Sequence, residues 1–246
     1  MGEFRVKSGE THTIKNDSAV MFVDRWIMED NAKIDFEPDV NRWEITATHT
    51  EFHGTSFIDA GRSETSGANG EAAGEHGEDG PDGVDVVMQI GIAVLDTVVI
   101  DQSGGKGGDG VRGRKGDTGA AAKCSGKDAK NGGPGRAGGD AGDGGDQGEI
   151  TVKFWVVEGR QPVVSSAYGK TANTVPGFNF FGEAGKAGTP GGGGPGGNGG
   201  AGKDKCGPWP YWKRSGGSPG ATGPAGTSGT SGATKLASVV PIPDPG

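Results

Sequence analysis

Glycine recurs at every third position over long stretches of this chain, and that period restricts the fold more than any other feature. Five runs carry it: 67–83, 104–119, 126–148, 182–202 and 216–232. A polyproline-II-type helix has three residues per turn and no internal hydrogen bonds, so glycine at every third place leaves one edge of the helix bare. A second backbone can approach that edge and pair with its N–H and C=O groups. The runs therefore predict polyglycine II rods packed side by side.

Two runs carry glycine on more than one edge. Run 126–148 contains two glycine registers, and most residues of 191–200 are glycine. Rods of this kind can lie between neighbours on both sides. A collagen triple helix made from three chains has the same period, but it favours proline at the other two positions, and proline is sparse here. The pattern favours a bundle formed by one chain. Because run 216–232 is the most collagen-like, a collagen-like homotrimer remains an alternative.

Short apolar stretches with strand character separate the glycine runs. Apolar residues alternate at 84–91 and 150–157, and a third stretch opens at Trp43. An Ile-Asp pair also recurs along the chain, and the first two copies are 24 residues apart, a spacing that fits one coil of a β-solenoid. The copies are Ile34-Asp35, Ile58-Asp59 and Ile100-Asp101, with Val163-Val164 as a degenerate fourth.

The predicted fold class is all-β, a short-stranded β-solenoid-like stack with glycine-rich polyglycine II helix bundle insertions and essentially no α-helix. Residues 1–66 form an N-terminal β region, 67–233 interleave strands with glycine runs, and 234–246 form a closing strand and tail. The stretch 18–28 also has helical spacing, with Asp17 or Ser18 as a cap. The repeat favours a strand there.

The two cysteines, Cys124 and Cys206, each lie at a break in a glycine run. A bridge between them would close a loop of more than 80 residues, which in the chain-entropy model stabilises the fold by roughly 4–5 kcal/mol. We expect this disulfide, and with it an oxidising location. The alternative is a pair of unrelated thiols.

Charge and hydropathy exclude some partners. The net charge is −8, from 32 acids and 24 bases, which disfavours nucleic acid because binding it needs a basic face. No apolar stretch approaches the ~20 residues of a membrane span. The first residues lack the pattern of a signal peptide. We expect an extracellular or cell-surface protein, with a virion protein as the alternative.

The sequence offers weak signals for catalysis or metal binding. His49, Glu51 and His53 resemble a zinc-protease motif, but the acid is misplaced and the context is a strand. Two histidines on one strand face can still hold a metal, although a solvated or partner-facing strand face is the more ordinary explanation. We expect no enzyme activity, catalytic residue, metal or cofactor.

Aromatic residues cluster at two breaks between runs. Trp209, Tyr211 and Trp212 lie beside Lys213 and Arg214, in a predicted loop at a rod end. Aromatic and cationic side chains suit a subunit contact, a plug over the bundle end, or a glycan or receptor contact. The second cluster precedes run 182–202 and has the same three interpretations. It consists of Phe178, Phe180 and Phe181.

The architecture predicts a non-enzymatic extracellular structural protein, a subunit that assembles with itself head to tail into a filament or surface appendage. The alternative is an adhesin or receptor-binding tip. In composition, runs 67–83, 104–148 and 182–232 resemble the tail-fibre tip adhesins of T-even-like bacteriophages. That resemblance implies a polyglycine II bundle with receptor-binding loops at its end, which here would be 206–216 and 175–181, facing a cell-surface glycan or receptor.

Overall fold

The computed structural model describes residues 2–158, 160, 162–169, 175–208 and 212–244. The described residues contain twelve strands, one 3₁₀ turn at Asn16–Ser18 and no α-helix. The all-β class is therefore confirmed, and 18–28 contains a strand rather than a helix. The strands are β1 (Glu3–Val6), β2 (Thr11–Ile14), β3 (Val20–Met28), β4 (Lys33–Phe36), β5 (Arg42–Asp59), β6 (Asp85–Asp101), β7 (Ile150–Val156), β8 (Ser166–Gly169), β9 (Gly177–Phe181), β10 (Lys203–Cys206), β11 (Trp212–Arg214) and β12 (Ser238–Pro241).

Ten strands form one sheet in which every described pairing is parallel. The first half follows the order β1-β3-β5-β6-β7-β12, and the second follows β2-β4-β5-β6-β9-β8. The long strands β5 and β6 run through both halves, and their pairing shifts register between Ala47 and Thr55. The two halves therefore stack as rungs, six of which lie in the described part of the chain.

The recurring Ile-Asp pair marks equivalent positions on successive rungs. Ile34 pairs with Ile58, and Ile58 with Ile100, which confirms the repeat. The next rung continues with Phe180, the partner of Ile100. Val163-Val164 lies outside the strands, so its interpretation as the fourth copy was wrong. An aromatic residue fills the place because the position points into the core, where any large apolar side chain fits.

One apolar core lies between the two halves of the sheet. Trp26 and Trp43 are fully buried and meet edge to face, with ring centroids 5.7 Å apart. Phe52 from the first half reaches Phe178 in the second at 6.2 Å. Alternation along the strands places these side chains inward and charged ones outward, where Arg25 bonds Glu51 of the next rung. Burial of the aromatic column contributes to holding the rungs together.

The glycine runs leave the sheet at one corner and return to it on the next rung. Three excursions do this, at 60–84, 102–149 and 182–237, after rungs three, four and five. Each is a hairpin of two extended segments. We number them segment 1 (66–72), segment 2 (75–83), segment 3 (104–122), segment 4 (127–148), segment 5 (182–202) and segment 6 (215–233).

Backbone hydrogen bonds join the six segments laterally. Within the second hairpin, the Gly133 N–H donates to the Asp117 carbonyl at 2.8 Å. Between hairpins, the Gly107 N–H donates to the Lys186 carbonyl at 2.9 Å, and this spacing repeats every three residues from Gly104 to Ala122. Segments 1, 3 and 5 run outward and 2, 4 and 6 run back. The periodic glycines therefore supply the donors that unite the hairpins.

The double glycine registers have separate neighbours. A Cβ on Gly138 would lie closer than 3.0 Å to a segment 5 carbonyl, and one on Gly142 to a segment 2 carbonyl. In segment 5, Gly194 faces segment 3 in this way and Gly193 faces segment 6. A segment between two neighbours thus carries glycine on both contact edges.

Candidate interaction surfaces

The outer ends of the second and third hairpins are joined covalently. Cys124 lies in the turn between segments 3 and 4, and Cys206 ends β10, just after segment 5. The two form a disulfide with their Cα atoms 5.1 Å apart. The predicted bridge is confirmed. We call this end of the bundle the tip.

The first aromatic cluster lies at the tip. Trp212 is 46% exposed, Lys213 is exposed, and an Arg214 guanidinium nitrogen lies 3.9 Å from the carboxylate of Asp128. The Trp212 ring covers Gly207, where a Cβ would collide with it. Trp209 and Tyr211 lie outside the described residues. The described members of this cluster therefore have the exposure and position that a contact surface needs.

The tip carries a charge opposite to that of the rest of the chain. Residues 112–136 and 198–220 contain eleven lysines and arginines against three aspartates, a formal charge of +8. Since the whole chain has a net charge of −8, the remainder carries −16. Most of the tip cations are exposed. A charge separation of this size favours contact between the tip and an acidic surface.

The second aromatic cluster does not form a contact surface. Phe178 and Phe180 are buried at 0% and 2% exposure in β9, inside the core. Phe178 meets Phe52, and Phe180 stacks on Tyr168 at 5.3 Å. Their assignment as partner contacts was wrong, because β9 continues the inward positions of the preceding rung. Loop 175–181 is mostly this buried strand and cannot act as a receptor loop.

Phe181 lines a small cleft on the outer face of the second half. The cleft has a volume of about 160 Å³ and is also lined by Lys33, Asp59 and Asp101. The Lys33 ammonium contacts Asp59 at 2.6 Å. Burial raises the pKa of Asp101, although its hydrogen bonds from Ser103 act in the opposite direction. The cleft is a charged groove with one apolar wall.

The two histidines of the metal-like motif contact a single carboxylate. His49 Nε2 lies 2.8 Å from Glu51 Oε1, and His53 Nε2 lies 3.0 Å from Oε2. Burial raises the pKa of Glu51, but hydrogen bonds from His49, His53 and Arg25 outweigh that effect and bring it to about 2. Across the described ranges, no group of three or more His, Cys, Asp or Glu side chains is arranged to hold a metal ion. Glu51 thus joins the rungs electrostatically.

Aspartates at glycine spacing make contacts that the sequence analysis missed. Asp79 Oδ1 accepts the Asp143 N–H at 2.8 Å, and Asp143 Oδ1 accepts the Thr230 N–H at 2.6 Å. The same arrangement links Asp82, Asp146 and Ala233. These carboxylates satisfy N–H groups that face the grooves of the bundle. The sequence signal for these contacts was the recurrence of aspartate at three-residue intervals, in step with the glycines.

The sheet ends in an open strand edge on its first and its last rung. Among the described residues, strands β1 and β2 have neighbours on one side only, as do β12 and β8. Edges of this kind present backbone groups to other strands.

No protein-family model matches this chain, and neither a curated protein nor a solved structure matches it. No helix in the described part of the chain is long and apolar enough to cross a membrane.

Proposed function

We propose that this protein is a non-enzymatic, extracellular structural subunit that assembles with itself head to tail into a filament or surface appendage. In this proposal the strands form a β-solenoid, and the six glycine segments form a bundle of polyglycine II helices attached to it. The disulfide fits an oxidising location outside the cell. The observation that carries the proposal is the pair of open, parallel strand edges at opposite ends of one stack.

The first rung offers N–H donors and C=O acceptors at its edge. The carbonyls of Gly2 and Val6 accept N–H groups of the second rung, so the even-numbered residues of β1 bond inward. The direction of the backbone N–H and C=O groups alternates along a strand, so those of Glu3 and Arg5 point away from the second rung. The carbonyls of Glu10 and Ile14 accept in the same way. Thr11 and Thr13 of β2 therefore point outward as well.

The last rung offers both kinds of backbone group at its edge, with one donor missing. The Ile242 N–H donates to the Phe154 carbonyl, so Val239 and Pro241 point outward from β12. Pro241 has no N–H but keeps its carbonyl. On β8, the Ser165 carbonyl accepts the Phe178 N–H, which directs Ser166 and Tyr168 outward. Because both edges present N–H and C=O groups of parallel strands, the last rung of one copy can pair with the first rung of the next, which would direct copies head to tail.

Removal of the outward donors tests this contact. Thr11→Pro/Thr13→Pro deletes two outward N–H groups and leaves the inward bonds of β2 intact. We expect the wild type to form fibres in negative-stain electron microscopy and the proline variant to sediment as short particles. Thr11→Val/Thr13→Val is the matched control, because it changes the same side chains but keeps both N–H groups. Val239→Pro blocks the opposite edge and should have the effect of the proline pair.

The axial repeat gives a second readout. Six rungs at the ~4.8 Å strand spacing predict a repeat of roughly 29 Å per subunit. A wild type that stays monodisperse at high concentration contradicts the proposal, as does a fibre repeat unrelated to the rung count.

The collagen-like homotrimer has less support. The N–H groups of Gly217, Gly220 and Gly223 donate to segment 5 carbonyls of the same chain at 2.8–2.9 Å. A triple helix needs those donors for its other chains. Their internal use favours the single-chain bundle.

An adhesin is the second candidate, and the exposure of Trp212 among tip cations favours it. Such a protein would remain a single short rod and would bind a glycan or receptor through the tip. Trp212→Ala/Lys213→Ala would then abolish binding to intact cells without altering the sedimentation of the protein. The observation of fibres with the predicted axial repeat would contradict the adhesin proposal.

A further inference from the structure

The first glycine hairpin is much shorter than the two that follow it. Segments 1 and 2 turn at 72–75, where the Gly74 N–H donates to the Arg112 carbonyl at 3.1 Å. Segment 3 continues beyond Arg112 to Ala122, and segment 4 returns from the same distance. The outer face of the second hairpin is therefore covered up to Arg112 and uncovered beyond it. We call the uncovered surface, residues 114–120 and 130–136, the shelf.

The sequence changes at the boundary of the shelf. Where the first hairpin covers segments 3 and 4, the facing positions are glycines, because a Cβ would collide with its carbonyls or with Pro81. These glycines are Gly105, Gly108, Gly139, Gly142 and Gly145. Counting onward in threes along each segment gives Val111, Arg114, Asp117 and Ala120, and then Arg136, Gly133 and Lys130. Except at Gly133, side chains thus occupy the face where the covering backbone ends.

The side chains on the shelf are mainly cationic. Arg114, Lys130 and Arg136 are all exposed, and Lys115 lies beside them. Asp117 is the one acid at the facing positions. A groove of about 360 Å³ runs between the two segments here, lined by Lys115, Asp117 and Arg136 among others. The shelf is a long, positively charged step.

The short hairpin beside the shelf is acidic. Glu71, Glu75, Glu78 and Asp79 are exposed near its turn. Glu75 also closes that turn, since its carboxylate accepts the N–H groups of Glu71 and Ala72 at 2.8 and 2.6 Å. Those bonds lower the pKa of Glu75, so the hairpin end keeps its negative charge under mildly acidic conditions.

The two surfaces also match in length. Segment 1 and the shelf part of segment 3 each span seven residues, or roughly 22 Å at ~3.1 Å per residue. A second copy turned by a twofold axis perpendicular to the segments would place its acidic hairpin on the shelf of the first. The same operation places the hairpin of the first copy on the shelf of the second, as an isologous contact requires.

We propose that two copies of this chain associate laterally through this reciprocal contact between the acidic first hairpin and the basic shelf. The side chains at the facing positions keep the backbones of the two copies apart. The contact is therefore made by the long, charged side chains. The contact does not use the strand edges and can form whether or not the subunits assemble end to end. Exposed ion pairs are individually weak, so we expect a salt-sensitive association that strengthens as several pairs act together.

Charge reversal in both halves of the contact tests the proposal. The background is Thr11→Pro/Thr13→Pro, so that end-to-end contacts do not contribute. The shelf variant is Arg114→Glu/Arg136→Glu, and the hairpin variant is Glu71→Lys/Glu78→Lys. Neither variant alters a side chain that bonds another segment in the described structure. Lys203→Glu/Lys213→Glu is the matched control, with the same charge change at the tip but off the shelf.

Sedimentation equilibrium at low salt gives the readout. We expect the background and the tip control to dimerise, and each charge-reversal variant to associate on the order of tenfold more weakly or worse. An equal mixture of the two variants should dimerise again, because each then meets the opposite charge, and high salt should dissociate all dimers. Circular dichroism checks that every variant remains folded.

Three outcomes overturn the proposal. One is a background protein that stays monomeric at low salt. Another is a mixture of the two variants that remains monomeric. The third is loss of dimerisation in the tip control alone, which would show that the tip cations, and not the shelf cations, make the contact between copies. None of these outcomes bears on the end-to-end contact, whose own test uses the intact edges.

Discussion

Cys124 and Cys206 are 82 residues apart in sequence, and the disulfide between them joins the outer ends of two hairpins. Along the hairpins, hydrogen bonds recur every three residues, and at the tip the disulfide takes over this function. The Cys124 sulfur also lies 3.5 Å from the Lys205 carbonyl. The covalent link thus falls where the periodic backbone contacts end.

Removal of this link should loosen the tip first. We expect Cys124→Ser/Cys206→Ser to lower the free energy of unfolding by about 2–5 kcal/mol. Hydrogen exchange should accelerate at 120–130 and 200–206 before it does so in the sheet, because the sheet core is independent of the tip. Denaturant titration with and without reductant measures the first effect and exchange mass spectrometry the second. Unchanged exchange at the tip would show that the hairpins hold each other without the bridge.

Two glycines of segment 5 differ in how closely a neighbouring segment packs against them. A Cβ on Gly194 would lie closer than 3.0 Å to the Arg114 carbonyl, whereas one on Gly192 meets nothing nearer than a side-chain carbon at 4.0 Å. We expect Gly194→Ala to cost about 3 kcal/mol, because segments 3 and 5 must separate. Gly192→Ala should change stability by less than about 1 kcal/mol. Thermal unfolding compares the two, and equal effects would contradict close packing at Gly194.

The two aromatic clusters should respond in opposite ways to truncation. Phe178 is buried against Phe52, so Phe178→Ala should cost about 3–5 kcal/mol of unfolding free energy. Trp212 is half exposed at the tip, and Trp212→Ala should cost about 1 kcal/mol or less. Chemical denaturation provides both values. A tolerated Phe178→Ala would contradict a core position for β9.

The carboxylate of Glu51 makes the free energy of unfolding depend on pH in the acidic range. Its folded pKa of about 2 lies below the ordinary value of 4.5, so the ionised form is favoured in the folded state. This contribution is complete above pH 4.5 and is lost as the pH falls towards 2. Glu51→Gln should therefore lower stability at neutral pH by about 1–2 kcal/mol, a figure reduced for solvent screening.

The pH profile of that variant is the measurement. The difference in unfolding free energy between wild type and Glu51→Gln should shrink as the pH falls below 4.5. A difference that stays constant down to acidic pH would assign the effect to packing rather than to charge.

Several elements could be predicted from the sequence because their signals are local. The alternation in 84–91 and 150–157 predicted strands that became parts of β6 and β7, and the Ile34 and Ile58 repeat gave the correct register. The closing strand predicted near the C-terminus is β12. In each case a side-chain pattern of period two, or a fixed repeat, selects one face and one register.

Other features depended on contacts that no local pattern reveals. Phe180 continues the Ile100 column although it lies 80 residues further along the chain, after two glycine segments and two strands. The sequence left open whether run 67–83 is one rod or a hairpin, because the shift from glycines at 67 and 70 to glycines at 74, 77, 80 and 83 also fits an imperfect period. The charge of the tip also became visible only when distant segments were brought side by side.

The sequence by itself determined that this chain would be all-β and that its glycines would recur on fixed edges, since both follow from side-chain periodicity and from the absence of a Cβ. Tertiary structure decided how long each hairpin is, which hairpins are neighbours, and which cations and acids are exposed. The physical reason is that an extended glycine segment has no internal hydrogen bonds. Its partners, and hence its position, are fixed only by the segments that accept its N–H groups.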